Sequence, residues 1–204
     1  MKVLMINGSP RRNGNTSRAL KEIADALAIE CVESEVVWIG SKPVRGCIAC
    51  GACRAKNLGH CVFDDDIANR IVEKLPGADA FVIGSPTYYG QPNGALLAVL
   101  QRVLFSATGC VSGKPVANVA ICRRGGSTAA FQTMNMAFEI LNCPIVTSQY
   151  WNVAFGREEG EVEQDGEGMQ TMRTLARNMA WLLKSLKGNP RPVQEPWQPT
   201  HFIR

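Results

Sequence analysis

Long apolar runs are missing from this chain, and none approaches the length of a bilayer span, so no membrane-spanning helix is expected. No leader with an apolar core precedes the first strand pattern, so a cytoplasmic location is expected. Blocks of positive charge are missing too. Lysines and arginines are scattered, and the only adjacent pairs are Arg11-Arg12 and Arg123-Arg124, too sparse for a nucleic-acid footprint. There is no G-x-x-x-x-G-K-[ST], which excludes a Walker A loop, and no G-x-G-x-x-G, which excludes the dinucleotide fingerprint. Internal repeats and low-complexity tracts are absent.

What is present suits one full-sized domain. The chain has 204 residues, 46% hydrophobic and 20% charged, enough for a sizeable core. The net charge of +4 suits a site for small anionic molecules and argues against a dedicated acidic electron carrier. Eight cysteines are many for a cytoplasmic protein, where disulfides do not persist, so clustered cysteines point to metal or redox chemistry. Four are clustered. Cys31, Cys110, Cys122 and Cys143 are dispersed and read as small buried residues.

Strand patterns cover the apolar start of the chain, Glu35–Ile39, Asp79–Gly84, Lys114–Ile121 and Pro144–Thr147. Between them, helical spacing predicts helices over Thr16–Ala28, the Asp64 region to Leu75, Ala95–Leu104, Thr128–Leu141 and Glu167–Leu186. Asp64-Asp65-Asp66 reads as the capping start of its helix. Five strands alternating with helices predict an α/β fold, a doubly wound five-stranded parallel sheet with strand order 2-1-3-4-5. The domain is expected over 1–187, with a cysteine-rich loop over 40–63 and a Pro-rich extended tail over 188–204.

Three loops at the carboxyl ends of the strands carry the polar chemistry. The first, NGSPRRNGNTS, joins a strand to a helix start. Backbone N–H groups and hydroxyl, amide and arginine side chains there suit the phosphate of a mononucleotide. The second, SPTYYGQPNG, offers two aromatic faces and open backbone to a flat, electron-poor ring. In the third, CRRGGST, Arg123 and Arg124 can meet anionic charge on a reduced ring or an incoming nucleotide, beside two glycines.

In this order and spacing, the three pieces resemble the NADPH-dependent FMN reductase branch of the flavodoxin-like superfamily, over roughly residues 1–187. The resemblance implies an FMN-dependent oxidoreductase. It implies phosphate contacts from Ser9, Arg11, Asn15, Thr16 and Ser17. Ring and ribityl contacts would come from Pro86, Thr87, Tyr88, Tyr89, Gly90 and Asn93. Arg123, Gly125, Gly126 and Ser127 would flank the ring, with Arg123 and Arg124 as the catalytic candidates.

The cysteine loop reads Cys47-x2-Cys50-x2-Cys53 and then Cys61, a run like the ferredoxin ligand run. In an FMN reductase-like chain it resembles the iron-sulfur flavoproteins, which implies a 4Fe-4S cluster on these four thiols and a homodimer or homotetramer. Zinc on four thiolates and a metal-free thiol loop stay open alternatives. His60 reads as an exposed loop residue. NAD(P)H is expected as a transient donor, and a flavin or quinone as the small-molecule acceptor. Two other readings are an electron carrier reduced by ferredoxin without NAD(P)H turnover, and a redox switch acting through the cysteine loop. Trp197 on the tail suits packing against a neighbouring copy.

Overall fold

The structure, a computed structural model, describes residues 1–200 and Phe202. Tail residues 201, 203 and 204 lie outside the described residues. Among the described residues are six strands: β1 (Lys2–Asn7), β2 (Glu33–Trp38), β3 (Ala80–Tyr88), β4 (Gln91–Pro92), β5 (Val116–Cys122) and β6 (Val153–Phe155). The α-helices are α1 (Asn15–Ile29), α2 (Ala52–Ala55), α3 (Ala68–Val72), α4 (Gly94–Ser106), α5 (Thr108–Val111), α6 (Ser127–Glu139) and α7 (Gly166–Leu186). β1, β2, β3, β5 and β6 pair in parallel in the order β2-β1-β3-β5-β6, and β4 folds back antiparallel on the end of β3.

β5 is buried at all seven positions and β3 from Ala80 to Ser85, as strands covered on both faces must be. One core packs α1 and α7 on one face of the sheet. Leu20, Ile23 and Leu27 meet Met172, Leu175 and Met179 there. The other core packs α3, α4 and α6 on the opposite face. Parallel register sets Asn7 level with both Trp38 and Gly84, and Pro86 level with Ile121. The loops that follow β1, β3 and β5 therefore open side by side at one edge.

Three expectations need correction. The sheet has six strands, because Thr87 and Tyr88 prolong β3 and pair with Pro92 and Gln91 in a hairpin. Tyr89 (φ 51°) and Gly90 (φ 75°) form its two-residue turn, the left-handed pair that matches strand twist. The expected fifth strand, Pro144–Thr147, makes only a bridge between Val116 and Ile145. The chain then loops out, held by Asn152 Nδ2 donating to the Val146 carbonyl (3.1 Å), and pairs again with the upper half of β5 as Val153–Phe155. The edge strand is thus split. The helix expected from the Asp64 region to Leu75 shrinks to α3 and a 3-10 turn, Leu75–Gly77. Pro76 lacks the N–H that a continued helix needs.

The described part of the tail, 189–200, has no helix or strand. It is tied to the domain by Arg191 Nη1, which donates to the Ser112 carbonyl at 2.9 Å.

Candidate functional site

The loop after β1 runs into a helix start that no side chain caps. Gly14 is the N-cap of α1 and brings no side-chain cap, so the first N–H groups of the helix carry their positive end outward. Ser9 and Thr16 are buried, Ser17 is half-buried, and Arg11 is exposed. Ser9 is fixed from two sides. Its N–H donates to Asn7 Oδ1 (3.0 Å), and its hydroxyl accepts from Arg11 N (3.1 Å). Trp38 Nε1 donates to the Ser9 carbonyl at 2.7 Å, and the Arg12 guanidinium stands 5.6 Å from the Trp38 ring centre.

Asn15 is employed differently from the rest. Its Nδ2 donates to the Glu158 carbonyl (2.8 Å) and its Oδ1 accepts from Val162 N (3.3 Å). Arg11 Nη1 reaches the Arg157 carbonyl at 3.5 Å. The segment after β6 is thereby stapled to the first loop.

The second loop leans on the first. Asn93, the N-cap of α4, accepts from Ala95 N (3.2 Å) and donates Nδ2 to the Gly8 carbonyl (2.6 Å). Ser85 Oγ accepts from Asn93 N at 2.9 Å. Tyr88 and Tyr89 are exposed, Tyr89 fully. Thr87 Oγ1 is buried and has no hydrogen-bond partner among the described residues. An orphaned hydroxyl costs roughly 1–3 kcal/mol unless a ligand or water meets it.

The third loop closes on the second. Gly126 (φ 88°) caps α6, and a Cβ there would stand 3.0 Å from Gly90 Cα. Only a glycine allows this approach. Ser127 is buried, while Arg123, Arg124 and Gly125 are exposed at the rim. The three loops named from the sequence thus come together. Tyr150 and Trp151, with ring centres 5.0 Å apart, are half-exposed just before β6.

The cysteine loop makes a second feature, on the α3–α4 side. Cys47, Cys50, Cys53 and Cys61 are free and line one small, mostly apolar cavity together with Arg102 and Ser106 of α4. Positive φ at Ala49 (54°) and Gly51 (69°) curls the chain between the first three cysteines. Among the described residues, no group of three Cys, His, Asp or Glu side chains is placed to hold a metal ion as it stands. The Ser106 hydroxyl is buried in this cavity without a partner among the described residues.

Arg102 is 1% exposed and was not singled out from the sequence. It stands at an inward position of α4, three residues from Val99 and four from Ser106, and a charge in that apolar pattern was the available signal. It pairs with Asp66, the third residue of the acidic run. Burial works against its charge, but bonds to Cys61 and Asp66 outweigh that and hold it protonated beyond the ordinary arginine value. Asp66 also accepts from Ala68 N (2.9 Å), but the N-cap of α3 is Ile67, with no side-chain cap and no acidic residue in the first turn, a correction to the reading of the acidic run as the helix cap. His60 is exposed, as expected. Of the dispersed cysteines, Cys122 and Cys143 are buried and Cys110 half-buried. Cys31 is exposed in the turn after α1, a correction to its reading as a buried residue.

A parallel sheet in the order β2-β1-β3-β5-β6, with the loops after β1, β3 and β5 gathered at one edge, defines a flavodoxin-like α/β fold. Solved structures agree on that fold. RosB with bound 8-demethyl-8-formylriboflavin-5'-phosphate superimposes with a TM-score of 0.72 at 18% identity, covering 94% of this chain and 82% of that one. An NADH:FMN oxidoreductase gives 0.62 at 15% identity, covering 93% and 91%. The model of the NADPH-dependent FMN reductase family matches residues 1–158, and the chain belongs to that family of flavin oxidoreductases. An iron-sulfur flavoprotein of Methanocaldococcus jannaschii is 31% identical over 92% of this chain and 100% of its own length. One of Methanosarcina thermophila is 28% identical over 93% and 98%.

Proposed function

We propose that the chain binds FMN in the three-loop cradle and a 4Fe-4S cluster on Cys47, Cys50, Cys53 and Cys61, and passes electrons from NAD(P)H to a small acceptor such as a flavin or quinone. One observation carries the reading. The loops that follow β1, β3 and β5 meet at one sheet edge, Asn93 Nδ2 bonded to the Gly8 carbonyl at 2.6 Å and Gly126 packed against Gly90, beside an α1 start that no side chain caps. FMN supplies the hydride and one-electron chemistry when bound. Ser9, Arg11, Thr16 and Ser17 bind its phosphate, while Asn15 holds the cradle shut from behind. Thr87 and the Tyr88–Gly90 backbone orient the ring, and Arg123 and Arg124 meet the anionic charge of its reduced form or of a bound nucleotide. The residue types suit a cluster, since four thiols line one small cavity, and the thiols would draw together on binding it. Residues 1–187 form the working domain, 188–204 an arm that meets a second copy in a homodimer or homotetramer, and the cytoplasm is the place of work.

One observation favours a second reading, a carrier reduced by ferredoxin. From Val36 to Phe63 there is no acidic residue, and Lys42, Arg45, Arg54 and Lys56 are exposed on that stretch, of which Arg45 is paired with Asp65 of the acidic run that follows. That surface suits an acidic protein donor.

The deciding experiment uses protein purified without oxygen. Its visible spectrum is recorded, with iron, sulfide and zinc assayed on the same sample. Flavin bands with about four irons and four sulfides per chain are expected, as one cubane requires. Flavin with zinc, or without metal, would overturn the cluster; no flavin even after adding FMN would overturn the cradle. Brisk NAD(P)H oxidation separates the enzyme from the carrier.

A further inference from the structure

Of the four clustered cysteines, Cys61 is fixed most firmly, and its fastenings come from two helices. Asn69 of α3 grips its peptide at both ends, accepting from Cys61 N (3.0 Å) and donating to its carbonyl (2.9 Å). Arg102 of α4 reaches its sulfur, with Nε donating to Sγ at 3.3 Å. The remaining nitrogens of the same guanidinium meet the Asp66 carboxylate and the carbonyls of Phe63 and Arg45. One planar fork therefore ties both shoulders of the cysteine loop to the core helix. A lysine, with its point charge and shorter donor set, could not do this.

Such a residue is costly. Arginine is almost never fully buried unless paired, and a buried pair is often no more stabilising than apolar residues of the same volume. Elsewhere α4 presents Leu96, Val99, Leu100 and Val103 to the core, and an apolar residue at 102 would have packed as well. What the apolar residue could not supply is a charged N–H donor aimed at a thiol. Resting on the reading of the loop as a cluster site, we propose that Arg102 is the positioning residue for that site. It presents Cys61 as the preorganised ligand and raises the reduction potential through its N–H bond to Cys61 Sγ. Hydrogen bonds to ligand sulfurs and local charge are the protein's means of setting such potentials. Reduction adds one negative charge to the sulfur set, and a cationic donor strengthens with that charge. Asp66 keeps the guanidinium oriented, and the neutral pair leaves the N–H···S bond as the directional term.

The test compares wild-type holoprotein with Arg102→Lys and with the paired change Arg102→Gln plus Asp66→Asn, all prepared without oxygen. The paired variant removes both charges together and leaves no lone buried carboxylate. The readouts are iron and flavin content and a redox titration followed by electron paramagnetic resonance, with the flavin couple as internal reference. Both variants should keep FMN at the wild-type ratio. At a given applied potential, the ratio of reduced to oxidised cluster should fall about tenfold, equivalent to 59 mV for one electron. Iron should also pass to a chelator faster. An unshifted cluster potential in the variants, with iron retained, would overturn the role of Arg102 and leave the cluster standing. If Arg102→Lys does not fold, the paired variant decides. Wild-type protein with flavin but no iron or sulfide would overturn the cluster reading and this proposal together, a result read on the wild type alone.

Discussion

The side-chain amide of Asn93 donates to the Gly8 carbonyl at 2.6 Å while its oxygen accepts from Ala95 N, so one residue caps α4 and fastens the first loop to the second. Asn93→Ala should lose the cap and the tie, lowering unfolding free energy by about 1–2 kcal/mol. It should weaken FMN about tenfold, or about 1.4 kcal/mol. Asn93→Asp keeps an acceptor for Ala95 N but sets a carboxylate against a carbonyl. It should therefore recover stability less than it recovers helix capping. Chemical denaturation and FMN titration of flavin-free protein separate the two effects.

Gly8 itself admits no side chain. A Cβ there would lie 2.6 Å from Leu96 Cδ2 and 2.9 Å from the Gly84 carbonyl, and the latter is backbone that accepts from Gly8 N. The leucine can turn aside; the strand cannot. Gly8→Ala should cost about 1–3 kcal/mol through overpacking. It should also push the β1 loop away from β3, so FMN affinity falls alongside the melting temperature. A variant that melts like wild type would show that the loop yields more easily than this packing implies.

The parallel sheet and the three loops were legible because each strand is an apolar run ending in glycine and hydroxyl residues, a local signal. What the sequence hid depends on partners far along the chain. Ile145 and Val153 both pair along β5, yet only the gap spanned by Asn152 decides that the second carries the strand. The run Pro144–Thr147 is the more strand-like of the two, so composition favours the wrong segment. Asn15 carries a phosphate-site pattern but spends its amide on Glu158 and Val162, about 145 residues away. Arg102 likewise becomes meaningful only when α4 is laid beside Cys61 and Asp66.

Glu22 joins α1 to α7, accepting from Arg18 (2.9 Å) and from Arg173 (2.6 Å). Burial raises its pKa, but the bonds to Arg173 and Arg18 outweigh that and hold the carboxyl below the ordinary 4.5. A carboxylate with a depressed folded value adds stability that is complete above the unfolded value and is lost as pH falls through the folded one. Glu22→Gln should therefore lower stability by about 1 kcal/mol at neutral pH. The gap from wild type should close as the pH drops below 4.5. Melting curves of both proteins across that range check the sign; a gap that widens on acidification would contradict it.

Asn15 offers the sharpest separation of holding a ligand from holding the fold. Its amide is spent at both ends on the segment after β6, and Arg11 adds a bond to the Arg157 carbonyl in the same segment. That leaves the helix N–H groups and the hydroxyls of Ser9, Thr16 and Ser17 to meet a phosphate. Asn15→Asp keeps the acceptor for Val162 N but faces the Glu158 carbonyl with another acceptor, so the staple opens at one end. The expected loss is about 1–3 kcal/mol, confined to that segment. Cleavage by trypsin after the exposed Arg157 should rise severalfold, because proteolysis follows the population of the locally open form. Saturating FMN should restore protection only in part, since the ligand closes the cradle from the front and not from behind. If Asn15→Asp binds FMN far more weakly yet resists trypsin like wild type, Asn15 touches the phosphate directly and the staple is secondary.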